Sequence, residues 1–529
     1  MKRIQKIIEY YKMMRIGLSR FLRKHVYLWH RRLSLVIAIP VFLWAISGFM
    51  HPLMTNIKPK IGMPVVHPKP VEQDKIQIGL SQLLQQYDIK YYHRFRLISI
   101  DTNWFYQIQT TPESKPLYYS TTTGKGLVNG DELYAHYLAG LFLGGKSSSA
   151  SKEETKNKLQ TETTDCCEAA AVCIKSQQKN NPVLGIQYIQ TYNDEYKEIN
   201  RLIPVYRVAF QRKDGIRIYV ETTSDRMAYA TDDMRAGFDQ LFSILHNWAW
   251  MDALGDIKYI LMALILGCAI LSTLMGLYIM YITKKAVKNN ENPLLQSRYR
   301  HRKVSLLGFT FTLFFTFSGT FHALEKVNAE KKSGFITPQH IVSDNRTPDL
   351  KIIQKLIDSP LTNISAVLIN DSLFWQVYTP QSIEYINASN YAVIKNGDEQ
   401  FAAYLAKQFS LNNDKSINKR EKIIKFGGEY GFINKRLPVW KISYTINDNE
   451  RYYIETSSGY MAAYVQDKDL WEGLSFAYLH KHHFMDWGGK ILRDISTMFW
   501  AFVQIALIAT GIILYIRRWR RVKDMKPNV

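Results

Sequence analysis

The chain is poor in the features that announce a soluble enzyme. It has no Walker-type or dinucleotide-binding glycine pattern, no nucleophile elbow and no HExxH. That leaves no sign of a nucleotide- or flavin-binding domain of its own. Cysteine is scarce, with four in 529 residues, which excludes a dense disulfide framework. Net charge is almost absent from most of the chain. Of the formal +22, residues 1–32, 283–303 and 517–529 carry +20. Basic charge confined to short segments beside apolar runs is a topology signal, so nucleic acid is excluded as a partner.

Long apolar runs are what the chain does have. Four segments, 33–53, 257–282, 304–324 and 495–516, are long enough to cross a bilayer, which takes roughly 20 residues. The basic segments then fall on one side: an N-terminal segment 1–32, a loop 283–303 and a tail 517–529. By the positive-inside rule that side is the cytoplasm. The two long intervals, 54–256 and 325–494, face the opposite compartment. The first run is too long for the h-region of a signal peptide and lacks a small-residue cleavage site, so it is expected to remain as a membrane helix.

The chain also reads as a duplication. HRRLSLVIAIPVFLWAISGFMH (His30–His51) and HRKVSLLGFTFTLFFTFSGTFH (His301–His322) agree at seven of 22 positions without a gap. LHNWAWMD matches LHKHHFMD, GDELYAHYLA matches GDEQFAAYLA, PVYRV matches PVWKI, and YVETTS matches YIETSS. Alternating stretches such as WFYQIQT and IRIYVET predict strands, whereas GDELYAHYLAGLF predicts a helix. The expected architecture is two copies of helix, α+β external domain, helix. The pairing offset falls from 271 to 234, so the first half holds about 37 extra residues. The insertion is placed at about 145–181, polar and low in large apolar residues. It contains Cys166, Cys167 and Cys173. One disulfide to Cys173 with a leftover thiol is the expectation, a soft-metal site or an intermolecular bridge the alternatives. Cys268, inside a membrane segment, reads as a small packing residue.

Each of the two paired segments begins and ends on histidine. Twenty-one helical residues rise about 31 Å and leave the two ends about 60° apart around the axis. Each helix therefore puts one imidazole near each membrane face, on roughly one side. A pseudo-two-fold axis along the membrane normal would bring His30 towards His301 and His51 towards His322. Each pair would be a bis-histidine axial set for a haem. A single histidine at a helix end is ordinarily an interfacial side chain with its tip in the headgroups, and duplication copies irrelevant residues too. Yet both histidines stay while 15 of the 22 positions change, and Ser47-Gly48 and Ser318-Gly319 stay with them. Small residues there give close helix contact or room for a flat macrocycle. His246 and His480, in the LH motifs before 257–282 and 495–516, are alternative ligands on the external side. His482 and His483 read as a solvated basic cluster, and His67, His93 and His136 as surface residues. Trp104, Phe105, Tyr106, Phe374 and Trp375 read as strand core, with a lining for a chelate cleft as the alternative.

At LWHRRLSL and YRHRKVSL, the SGxxH helix ends and the LHxxxxMD motifs, the sequence resembles the PepSY-associated transmembrane helix family. The likeness covers nearly the whole chain apart from the N-terminal extension and the cysteine insertion, and the external modules look like PepSY domains. The resemblance implies a bacterial inner-membrane protein with both termini cytoplasmic and the large domains periplasmic. It also implies two b-type haems and a siderophore reductase that delivers electrons to a periplasmic ferric siderophore, reducing Fe(III) to Fe(II). Membrane lipid and a cytoplasmic or quinol electron donor are the further partners expected. A non-redox membrane-anchored binding or regulatory protein and a ferric-chelate permease component are the rival readings. Four helices are few for a permease, and no carboxylate lies in their apolar cores to couple transport to protons.

Overall fold

The structure, a computed structural model, describes residues 2–62, 66–144, 182–283, 292–327, 333–335, 340–343, 346–410, 416–445 and 449–524. The insertion at 145–181, with Cys166, Cys167 and Cys173, lies outside the described residues. The chain divides into two compact units, 1–57 with 237–330 and 468–529, and 58–236 with 331–467.

The first unit is a helical bundle. Among the described residues four helices are long and apolar enough to cross a membrane. They are Lys2–Asn56, Asp256–Ile282, Pro293–Glu325 and Gly489–Asp524. All but the second continue well beyond the apolar runs of the sequence, because their basic flanks keep helix-forming composition. Asn292 caps the third, its side chain accepting from the Leu294 amide, and Pro293 takes the first turn, where a missing N–H is harmless. The first and third helices each pack against the second and the fourth, so the first and third occupy opposite corners. A cofactor held between those two would sit inside the bundle.

The second unit is α+β and contains two modules with the same order of elements. In the first, a three-stranded antiparallel sheet (Arg94–Ile100, Asn103–Gln109, Leu117–Ser120) precedes the helix Gly130–Phe142. A four-stranded antiparallel sheet follows (Val183–Ile189, Val205–Phe210, Arg217–Glu221, Arg226–Thr231). In the second, Asn363–Ile369, Ser372–Tyr378 and Ile383–Asn387 precede Gly397–Phe409. The strands Ile417–Ile423, Val439–Tyr444, Arg451–Glu455 and Tyr460–Val465 complete it, with Gly334–Phe335 added at the edge. The glycine opening each helix is forced: a Cβ at Gly130 would lie 2.7 Å from Tyr118, and one at Gly397 the same distance from Tyr385.

One apolar cluster runs through both three-stranded sheets, joining Leu97, Trp104 and Tyr106 to Trp375 and Val377. Burying side chains of this size contributes about 1.5–3 kcal/mol each. Trp104, Phe105, Tyr106 and Trp375 are buried and Phe374 is half-buried, which corrects the cleft-lining alternative. His136 is also buried, against Phe210, rather than at the surface, because it lies on the sheet-facing side of its helix. A second seam between the modules is ionic. Arg436 donates to Glu455 (2.6 Å) and Glu221 (3.0 Å), and Arg226 donates to Glu455 (2.8 Å). Burial opposes the charge on Glu455, but the two guanidiniums outweigh it and hold its carboxyl well below the usual range.

Candidate functional site

At the basic end of the bundle, His30 and His301 stand on the two opposite-corner helices, within electrostatic reach of one another. Each is fixed by the helix beside it. His30 Nδ1 lies 2.9 Å from the Ser272 carbonyl oxygen, which can only accept, so Nδ1 carries the proton. His301 Nδ1 lies 3.2 Å from Thr510 Oγ1, whose own hydrogen goes to the Leu507 carbonyl. That hydroxyl therefore accepts from the imidazole. In both rings the lone pair is left on Nε2, the state a metal-binding histidine needs, with the other nitrogen oriented by an acceptor. Gly276 and Gly511 supply the room: a Cβ there would lie 3.4 Å from His30 and 3.3 Å from His301.

At the opposite end of the bundle, four imidazoles and one ammonium converge. His480 feels the charges of His246, Lys481, His322 and His51. His246 and His480 are closest, edge to face with ring centroids 6.1 Å apart. His246 Nδ1 is 3.0 Å from Ser47 Oγ, which donates its own hydrogen to the helix carbonyls behind it. So His246 too keeps its lone pair on Nε2. Phe242 stacks on His246, and Phe476 stacks on His480. Desolvation holds His246 down to about 3 and His480 well below its ordinary value, with Lys481 and the neighbouring imidazoles acting in the same direction. Both are neutral bases at physiological pH.

The other predicted pair differs between its two members. Lys481 Nζ lies 3.1 Å from His51 Nε2 and 3.3 Å from Nδ1, so the cation occupies the accepting edge of that ring. His322 pairs through Nδ1 with Glu472, so it too has Nδ1 on an acceptor and Nε2 left over. Burial lowers Lys481 itself to about 8. A Cβ on Gly48 would meet nothing within 4 Å, whereas one on Gly319 would press on Leu266 at 3.1 Å. The first glycine thus borders open space, the second a helix contact.

The LH motifs fold alike up to a point. Trp248 and His482 both adopt left-handed backbone (φ 52° and 56°) and open a short 3-10 turn. His482 is fully buried, stacked on Phe315 with Nδ1 3.1 Å from Ser496 Oγ, which corrects the solvated-cluster reading. It fills a position like that of the buried indole of Trp248. His483 is exposed and pairs with Asp486. The residues Phe476–His480 form a π turn, whereas the equivalent stretch before His246 is α-helical. π turns are rare and cluster at functional sites.

Ser272, Thr510, Gly276, Gly511 and Lys481 were not among the predicted site residues. The signal was present: STLMG and ATG are the hydroxyl- and glycine-bearing breaks in otherwise apolar runs.

The family described as the PepSY-associated TM region matches residues 146–518. The chain belongs to this family. No curated protein matches it. As a PepSY-associated transmembrane protein it places four spanning helices and α+β regions in one chain.

The donor set fits a bis-imidazole iron. An imidazole nitrogen binds a first-row metal at about 2.0–2.1 Å. His246 and His480, with ring centroids 6.1 Å apart, lie close enough for both imidazoles to reach one ion.

Proposed function

We propose that this PepSY-associated transmembrane protein is a haem-b electron-transfer protein that reduces a ferric siderophore on the side of its large domains. The observation that carries the reading is the repeated presentation of Nε2 by His30, His301 and His246, each with Nδ1 committed to an acceptor. His30 and His301 would hold one haem, and His246 and His480 a second, with His51 and His322 flanking it as the alternative ligands. Bound there, haem b supplies one-electron chemistry, one electron per Fe(III) reduced to Fe(II), drawn from a quinol or a cytoplasmic donor.

The remaining work falls to the chain's own side chains. Ser272, Thr510 and Ser47 fix ring orientation, and Gly276 and Gly511 keep the space beside the rings free. The basic segments at the His30 end offer a docking surface for an acidic donor or a quinol headgroup. They also orient that end towards the cytoplasm of a bacterial inner membrane, with the domains periplasmic. The matching sequence segments and the shared element order support descent of the halves by duplication.

The deciding experiment is an absorption spectrum of the full chain purified from haem-sufficient cells. Reduction by dithionite is expected to sharpen the Soret and α bands of a low-spin b-type haem. A colourless preparation returns the chain to a non-redox binding or regulatory role, with the helices as anchors.

A further inference from the structure

The two three-stranded sheets differ at one buried position. Arg96 is the third residue of Arg94–Ile100, opposite Gln107; Ser365 is the third residue of Asn363–Ile369, opposite Gln376. Both glutamines sit in the same frame. Gln107 Nε2 donates to the Tyr118 hydroxyl and the Thr222 carbonyl, and Gln376 Nε2 to the Tyr385 hydroxyl and the Thr456 carbonyl. In the first module Arg96 fills the space beside this frame. It donates to both carboxylate oxygens of Asp225 (2.8 and 2.6 Å), and Tyr134 donates to the same carboxylate (2.6 Å).

All three members of that cluster are missing from the second module. Ser365 replaces the guanidinium. Gly459, which precedes its strand as Asp225 does and shares its left-handed backbone (φ 68° against 53°), replaces the carboxylate. Phe401, fifth in its helix as Tyr134 is, replaces the phenol. Tyr378 takes over part of the role of Arg96, its hydroxyl donating to Gln376 Oε1 (2.6 Å) and the Ser457 carbonyl (3.1 Å). What remains is a cavity of about 60 Å³ bordered by Ser365, Gln376, Phe401 and Gly459, with His93 and Arg94 reaching in from the first module.

More of this cavity's lining is apolar than polar, with Ser365 and Arg94 among its polar groups. Ser365 is fully buried and its hydroxyl has no partner among the described residues; the buried Arg94 Nε likewise has none. Among the described residues no carboxylate lines the space. A water needs roughly 10–15 Å³ measured this way, so the volume holds a few waters or one short carboxylate. A buried donor left unmade costs about 1–3 kcal/mol, and a guanidinium matches a carboxylate better than it matches water.

We propose that this cavity binds a small carboxylate, held by Arg94 and Ser365 where the first module holds the side chain of Asp225. The carboxylate is that of a free short-chain acid or the end of a larger ligand such as a peptide C-terminus. The proposal is independent of the redox reading.

The test is calorimetric titration of the full chain in detergent with sodium acetate, sodium propionate and a tripeptide acid, against sodium chloride and the tripeptide amide. Saturable binding of an acid but not of the chloride or amide is expected. Acetate or propionate binding identifies a free acid as sufficient, and binding of the tripeptide acid alone identifies a chain terminus. Arg94→Gln should weaken it about tenfold or more. The double variant Ser365→Arg/Gly459→Asp rebuilds the ion pair and should abolish binding while thermal unfolding stays cooperative. Nothing lies within 4 Å of a Cβ at Gly459, and aspartate already occupies this backbone conformation at position 225. Absence of saturable binding by every acid overturns the proposal. So does an affinity unchanged in the folded double variant, or in Arg94→Gln if the double variant fails to fold.

Discussion

His246 and His480 meet edge to face, ring centroids 6.1 Å apart and planes at 83°, although 234 residues separate them in the chain. His51 and His322, the more obvious helix-end pair, flank them, with Lys481 at the ring nitrogens of His51 and Glu472 on Nδ1 of His322.

This difference makes the ligand assignment measurable. On the proposed two-haem reading, His246→Ala or His480→Ala is expected to remove one haem, leaving about half the haem per chain in a pyridine haemochromogen assay. His51→Ala and His322→Ala should keep haem content and shift its midpoint potential instead. Retention of full haem in His246→Ala would return the axial role to His51 and His322.

At the basic end, space is the limiting quantity. Leucine at Gly276 or Gly511 starts from a Cβ already 3.4 or 3.3 Å from an imidazole. Its remaining atoms must displace His30 or His301, and overpacking of this kind costs about 1–3 kcal/mol. Gly276→Leu should lose the basic-side haem as completely as His30→Ala does, while the domain-side spectrum persists. A spectrum identical to wild type would show that the glycines matter only for packing.

The ionic seam of the α+β unit predicts a stability effect away from the membrane. Glu455→Gln leaves Arg436 and Arg226 buried with one charge partner fewer, and breaking a buried pair this way costs about 3–5 kcal/mol. Thermal unfolding followed by domain tryptophan fluorescence should show an earlier transition. Removing Glu399, which makes an exposed pair with Arg420 at 3.2 Å, should change it by less than about 1 kcal/mol.

The same glutamate sets an acid limit. Its folded-state carboxyl titrates below the unfolded value of 4.5, so the unfolded chain takes up protons first as the pH falls. Its contribution is complete above pH 4.5 and declines below it towards the folded value. Urea midpoints of the wild type should fall below pH 4.5, and Glu455→Gln should flatten that fall. Equal slopes in the two proteins would assign the acid sensitivity to other groups.

Much of this arrangement is legible in the sequence because it repeats with a physical period. Apolar runs of bilayer length locate the helices, and alternation locates strands such as Asn103–Gln109. The 21-residue spacing picks out His30 and His301 as candidates before any coordinates exist. Their partners are harder to read, since Ser272 and Thr510 come from helices more than 200 residues distant. His482 looks exposed in a run of basic residues because burial depends on the left-handed turn that drives it between Phe311 and Phe315. The close approach of His246 and His480 depends on chain reversal after each helix, which no local pattern encodes.

The π turn at Phe476–His480 makes the two closest imidazoles chemically unequal. In the first half Ser47 claims the Nδ1 proton of His246. In the second, neither Ser318 Oγ nor His480 Nδ1 has a partner among the described residues. One ring is locked into a single tautomer by Ser47 of the first membrane helix, and the other has no such constraint among the described residues. A symmetric pair of residues has become a fixed donor facing an adjustable one.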